Sequence, residues 1–261
     1  MEQTTFGQLP AIRITAPDGA SAVVTLYGAH LVSWHGADGG ERLFVSKASH
    51  LDGGRPIRGG VPVIFPQFAE RGAGMRHGFA RVSTWRLETD GIEDGAAWAE
   101  FGLSESDLAA PLAAAWPHRF ALALRVTVRA NELTMSLVVR NTGEAPFPFA
   151  AALHTYHLVP HLADVRIEGV QPGTLSIADK LDTVFEQVGG VITLGTWARV
   201  LTLEQSGFED AVVWNPGAAD TAALADMEDD EYQRFVCIEP AQLTPVELAP
   251  GAAWEGTYRI S

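Results

Sequence analysis

Residues 120–141 constrain this chain more than any other stretch. FALALRVTVRA (120–130) runs into ELTMSLVVRN (132–141), and apolar and polar residues alternate along both segments. A period of two sustained over that length fits an extended strand with one buried and one solvated face. Two such runs meeting at Ala130 and Asn131 predict a long antiparallel hairpin. NTGEAP then turns the chain into FPFAAALHTYHLV (147–159), which predicts a third strand beside the hairpin, completing a meander.

Shorter alternations recur in AIRIT (11–15), SAVVTLYG (21–28), LVSWHG (31–36), RVSTWRLE (81–88) and AAWAEFGL (96–103). A weaker strand set follows in DAVVWN (210–215), RFVCIEP (234–240) and EGTYRI (255–260). Helical patterns are scarce: SESDLAAPLAAAW (104–116) has a serine cap but is interrupted by Pro111, and ADTAALADM (219–227) is short. The 26 glycines and 15 prolines are spread along the chain, which suits many short strands joined by turns and excludes a helical bundle. No fixed-period repeat points to a propeller or solenoid. At 261 residues the chain is near the upper size of one all-β sandwich, so a single domain over residues 1–261, antiparallel with a few short helices, is expected.

Charge is unevenly distributed. Eighteen basic residues against 32 acidic ones give −14, which argues against a general nucleic-acid or anionic-membrane surface. Yet residues 55–86 hold Arg55, Arg58, Arg71, Arg76, Arg81 and Arg86 with Glu70 as the one acid, a local +5. Guanidinium groups give bidentate hydrogen bonds to phosphate or carboxylate, so this concentration points to an anion site; ion pairs with the acidic remainder are the plainer alternative. The one cysteine, Cys237, has no intrachain disulfide partner, and MEQTTFGQLP lacks the pattern of a signal peptide. With no run long enough to span a bilayer, a soluble, cytoplasmic and monomeric protein is expected.

Four segments carry side chains suited to chemistry. In LHTYHLV a strand puts His154 and Tyr156 on one face and Thr155 and His157 on the other, which separates His154, His157 and His161 as metal ligands despite their spacing. His154 then reads equally as a packed core histidine or as an acid or base in a cleft. In RFVCIEP, Cys237 and Glu239 alternate with Val236 and Ile238. Pro240 is expected to end the ladder there, leaving Glu239 at a strand end facing a cavity or water. MRHGFAR brackets His77 between Arg76 and Arg81, whose charge favours a neutral imidazole. PIRGGVPVIFPQF sets Arg58 beside Gly59 and Gly60, where a ligand has room to approach the backbone. There is no nucleophile elbow, phosphate loop or dinucleotide fingerprint to support serine hydrolases, P-loop NTPases or dinucleotide enzymes.

Taken in order, RPIRGGVPVIFPQF, RHGFARVSTWRL, LHTYHLV, VVWNP and VCIEP resemble the glucose-6-phosphate 1-epimerases (hexose-6-phosphate mutarotases) of the galactose mutarotase-like superfamily, over residues 25–260. The resemblance implies a large antiparallel β-supersandwich that binds an aldohexose phosphate without metal or other cofactor. It implies Glu239 as general base, His154 as general acid and His77 as a substrate contact, with Arg58 and Arg81 on the phosphate. Asp182, in KLDTVFEQV, is the matching aspartate by a looser alignment. Gly217 stands where an aromatic often follows WNP, which implies a more open pocket wall. The expected chemistry is interconversion of α and β anomers, in which one group takes the C1 hydroxyl proton while another protonates the ring oxygen. An aldose 1-epimerase acting on free sugars and a non-catalytic sugar-phosphate binding protein are the alternatives. Glycoside hydrolysis fits less well, because it normally needs two cooperating carboxylates.

Overall fold

The strand pairings of the computed structural model, which describes residues 1–261, are antiparallel throughout. A four-stranded sheet is formed in sequence order by β1 (Glu2–Phe6), β2 (Leu9–Thr15), β3 (Ser21–Thr25) and β4 (His30–His35). The largest sheet has eight strands. They are, in spatial order, β12 (Arg166–Glu168), β14 (Val191–Gly195), β15 (Val200–Ser206), β18 (Ala253–Ile260), β9 (Glu132–Asn141), β8 (Phe120–Arg129), β7 (Ala96–Ser104) and β6 (Arg86–Glu93). A six-stranded sheet runs β13 (Leu181–Phe185), β16 (Asp210–Asn215), β17 (Phe235–Leu248), β10 (Phe147–Leu153) and β5 (Val63–Ile64), with β11 (Tyr156–Leu158) also on β17. This is the all-β, antiparallel architecture expected from the sequence.

The β8–β9 hairpin forms as the alternation requires. Its register holds for ten pairs, from Phe120 opposite Asn141 to Arg129 opposite Glu132, and Ala130 makes the turn at φ +51°. Phe120, Leu122, Leu124, Val126 and Val128 point inward with Leu133, Met135, Leu137 and Val139, all buried. Each such side chain contributes about 1.5–3 kcal/mol relative to exposure. These residues belong to one core of 53 buried side chains that also takes Ile12 and Trp34 from the four-stranded sheet and Val213, Val236 and Ile238 from the six-stranded one.

The third strand of the expected meander is elsewhere. β9 pairs with β18, while β10 crosses into the six-stranded sheet between β17 and β5. Asn141 fixes the crossover: its side-chain amide donates to the carbonyls of Ala145 and Leu248, and its oxygen accepts from the Gly143 amide. Residues 81–85 are likewise not strand, because a short 3₁₀ turn occupies Ala80–Val82 and β6 starts only at Arg86. Pro111 sits in the first turn of helix α1 (Ala110–Ala115), where a missing N–H costs nothing, so it opens the helix rather than interrupting it. The second expected helix is reduced to α2 (Gly217–Thr221).

Candidate active site

One face of the six-stranded sheet collects the candidate residues by register. Asp182 of β13 lies opposite Trp214 of β16, Trp214 opposite Cys237 of β17, and Cys237 opposite Tyr156 of β11, so these four form a row across the sheet. The next row on the same face holds Val184, Val212 and Glu239. Val236 and Ile238, one residue out of phase, enter the main core on the other face.

His154 completes the second row through a break. The expected single strand LHTYHLV is two, β10 ending at Leu153 and β11 starting at Tyr156, with His154 and Thr155 between them. The break also explains why Pro240 does not end β17, which continues to Leu248. The Ile238 amide donates to Thr155 across this seam, so the Pro240 nitrogen, two residues on, points to the same side, where β10 gives way to β11 and the ladder loses least by a missing donor. Glu239 is therefore buried in mid-strand, 1% exposed, rather than at a solvated strand end.

There Glu239 meets His154, with Nδ1 3.4 Å from Oε1. The imidazole is stacked on the Tyr156 ring at 4.9 Å and 12°, and the Trp214 and His77 rings approach it edge-on at 5.8 and 5.7 Å. His154 Nδ1 and Glu239 Oε2 are buried without a hydrogen-bond partner. Buried polar atoms left unsatisfied are uncommon and concentrate where a ligand or a reaction uses them. His157 lies on the opposite face, its Nε2 3.2 Å from the Tyr258 hydroxyl, and His161 accepts from the Ala163 amide at the surface.

His77 reaches the site from the loop after β5. It has φ +62°, and its neighbour at φ +68° is Gly78, where a Cβ would sit 2.0 Å from the Phe65 carbonyl oxygen. The Ala69 amide donates to His77 Nδ1, so the neutral ring carries its hydrogen on Nε2, where it serves as a donor. Arg58 is half-buried; its guanidinium donates to the Tyr156 hydroxyl at 3.2 Å and pairs with Asp226 at 3.2 Å. Arg81 donates to the Arg76 carbonyl and leaves Nε buried without a partner.

The rest of the arginine cluster disperses. Arg76 pairs with Glu70, Arg86 pairs with Glu88 and Asp107, and Arg55 and Arg71 are exposed. Gly59 and Gly60 do not admit a ligand either. A Cβ at these positions would strike Phe44 and Leu31 carbonyl oxygens at 2.4 and 2.3 Å, so the pair lets the protein's own strands close up. Nor does Gly217 open a wall: at φ +66°, the space a side chain would need is filled by Asp179 Oδ1 and the Lys180 amide.

Electrostatics drive the site toward uncharged forms. Burial, and then Asp182, push the Glu239 carboxyl well above the usual carboxylate range. Burial, and then His77, Arg81 and Arg58, push His154 well below the usual histidine value. His77 falls to about 3, through burial first and Arg81, Arg76 and Arg58 after it, so the flanking arginines add to a larger effect that the sequence does not display. Arg81 is lowered by burial to about 10 and stays cationic at neutral pH.

Trp214, Tyr156 and Asp226 are further parts of this surface. Alternation in DAVVWN places Trp214 with Val212 and was a usable signal; the Arg58–Asp226 pair, 168 residues apart in sequence, had none. A separate cavity of about 340 Å³ lies behind the His77 loop, lined by Met75, Phe79, Leu112, Trp116 and Phe149 among others, and it holds none of the candidate residues.

The profile of the family described as aldose 1-epimerase matches residues 10–261. The chain belongs to the aldose 1-epimerase family. Proteins named "Putative glucose-6-phosphate 1-epimerase" from Cenchrus ciliaris and Salmonella typhimurium are 32% and 30% identical to it. The matches cover 92% and 87% of this chain, and 80% and 82% of those proteins. The crystal structure of a "putative mutarotase" from Salmonella typhimurium superposes with a TM-score of 0.87 at 26% identity, covering 99% of this chain and 92% of that one. A galactose mutarotase-like protein from Clostridium acetobutylicum shares the fold, with a TM-score of 0.79 at 16% identity over 100% and 97% of the two chains. This epimerase-family chain thus has the galactose mutarotase-like fold, and anomer interconversion is the reaction class that comes with the family. No helix is long and apolar enough to cross a membrane.

Proposed function

We propose that this chain interconverts the α and β anomers of a hexose 6-phosphate, glucose 6-phosphate first, with Glu239 and His154 moving the protons. The observation that carries the reading is the buried 3.4 Å contact between a carboxyl and an imidazole on a face that also holds Arg58 and Arg81. The names of the related proteins support the phosphate.

Burial lets the pair hold one proton in two ways. With the ring closed, the working form is carboxylate and imidazolium: Glu239 takes the proton of the C1 hydroxyl as His154 gives one to the ring oxygen. The C1–O5 bond breaks to an aldehyde, leaving a carboxylic acid beside a neutral imidazole. That uncharged form is the one burial favours, so the environment that raises Glu239 and lowers His154 also stabilises the open-chain state. Rotation about C1–C2 and the reverse transfers close the other anomer. His77, neutral with its hydrogen on Nε2, donates to a sugar hydroxyl, Arg58 and Arg81 bind the phosphate, and Asp182 contacts the sugar from the rim.

His154 need not arrive protonated in its own right; activity requires one proton on the pair. The pH limits of catalysis then belong to Glu239 and His154 jointly and bound a broad plateau.

The test is anomer exchange by NMR on glucose 6-phosphate and on glucose. Arg58→Ala and Arg81→Ala each raise KM for the phosphate roughly tenfold to hundredfold, the worth of a charge-assisted hydrogen bond, and leave exchange of the free sugar unchanged. Equal losses on both sugars refute the phosphate assignment. Asp226 beside Arg58 is the one observation favouring an unphosphorylated aldose, because it already supplies that guanidinium with an anion.

A further inference from the structure

We propose that His154, Cys237 and Glu239 form a site for one Zn²⁺ ion, whose occupancy shuts down the anomerising pair. One imidazole nitrogen, one sulfur and one carboxylate oxygen lie within 4.8 Å of one another, and all three residues are buried. Cys237 and Glu239 are two apart on one face of β17, which fixes their spacing, and His154 enters through the seam between β10 and β11. These are donor types that bind zinc; Zn–N and Zn–O of about 2.0–2.2 Å and Zn–S of about 2.3 Å place donors roughly 3.3–3.6 Å apart in a tetrahedron.

The His154–Glu239 contact is already at that separation, and the thiol has to close by about 1.5 Å at most. A second observation points the same way: His154 Nδ1 and Glu239 Oε2, on side chains 10% and 1% exposed, have no hydrogen-bond partner. Thiolate with imidazole also selects a borderline-soft ion over Mg²⁺ or Ca²⁺, which take oxygen ligands.

As Zn²⁺ binds, the thiol and carboxyl protons leave to water, and the imidazole binds through a lone pair. Three ligands leave a fourth position for water. The binding stands on geometry alone; the inhibition rests on the proposed roles of Glu239 and His154, since the metal occupies the lone pairs that would carry protons.

Chelator-treated protein is titrated with Co²⁺, followed by absorption, and with Zn²⁺ and Mg²⁺, followed by anomer exchange. The expected result is one Co²⁺ per chain with a thiolate-to-cobalt band in the near ultraviolet. Zn²⁺ then stops exchange, EDTA restores it, and Mg²⁺ has no effect. Cys237→Ser and Cys237→Ala keep the metal-free exchange rate, lose the band and need at least about 10-fold more Zn²⁺ for the same inhibition, since even an outer-shell partner of a ligand is worth that much. A cobalt complex without the band, Zn²⁺ inhibition unchanged in both cysteine variants, equal inhibition by Mg²⁺, or full exchange with the site loaded would each overturn the proposal. Failure of the acid–base reading looks different: Glu239→Gln would then exchange anomers at the wild-type rate with no metal present.

Discussion

Glu239→Gln separates activity from stability in a way that depends on pH. In its proposed role of general base, Glu239 would supply about 10²- to 10⁴-fold in kcat, so the variant is expected to lose at least two orders of magnitude while remaining folded. Its stability should rise relative to wild type as pH increases. An unfolded Glu239 ionises near 4.5, whereas burial keeps the folded carboxyl protonated well above that value. Between the two values the folded state holds one more proton than the unfolded state. The wild type therefore loses stability with rising pH, by about 1.4 kcal/mol per pH unit at full slope.

The loss accumulates over the interval between the two values, and glutamine, which does not titrate, has no such loss. Taking the difference between the two proteins at each pH cancels the constant cost of a buried amide and the separate contribution of His154. In a chain of this size each kcal/mol of that change corresponds to roughly 2–4 °C in Tm. The assay is urea or thermal denaturation of both proteins at pH 5, 6 and 7. A difference that is flat over this range would mean that Glu239 is ionised in the folded protein and paired with a charged His154. The neutral-pair account would then be refuted.

Asp182→Asn removes a negative charge that raises Glu239, so the alkaline limb of the pH–rate profile should move to lower pH by a fraction of a unit; a shift to higher pH counts against the contact. His77→Asn should cost at most about tenfold in kcat/KM, the worth of one neutral hydrogen bond, and leave both pH limbs in place, because a histidine lowered to about 3 is uncharged over pH 5–9. His154→Asn, by contrast, should abolish exchange with KM little changed, as NMR exchange on both variants would reveal. Gly78→Ala forces a Cβ to within 2.0 Å of the Phe65 oxygen at a positive φ, and should lower stability by roughly 2 kcal/mol or more, about 4–8 °C in Tm by calorimetry.

Sequence periodicity carried local structure well and partner choice poorly. The β8–β9 hairpin and β16 (210–215) fall where alternation put them, because a period of two is written in neighbouring residues. β10 was placed beside the wrong strand, since its pairing is decided by Asn141 and by Leu248, 107 residues away. The faces of His154 against His157 and of Glu239 against Ile238 were also readable from alternation. Glu239 was misplaced at a strand end because the proline rule is local, whereas the seam that accommodates Pro240 comes from another strand. Gly59, Gly60 and Gly217 looked like room for a ligand, and the structure spends that room on its own backbone. Burial, the main cause of the shifted histidines and carboxyl, has no signature in a motif.

The row from Asp182 through Trp214 and Cys237 to Tyr156 crosses four strands that meet only through their register. Slipping β17 by one residue would turn Glu239 and Cys237 into the hydrocarbon core and bring Val236 and Ile238 out onto the face they left. A misthreaded chain thus forfeits its core and its proposed acid–base pair in one error. With Glu239 and His154 in their proposed roles, catalytic turnover is a proofreading signal for strand pairing: a molecule that turns over has its central sheet threaded correctly, and refolding yield can be counted in units of anomer exchange.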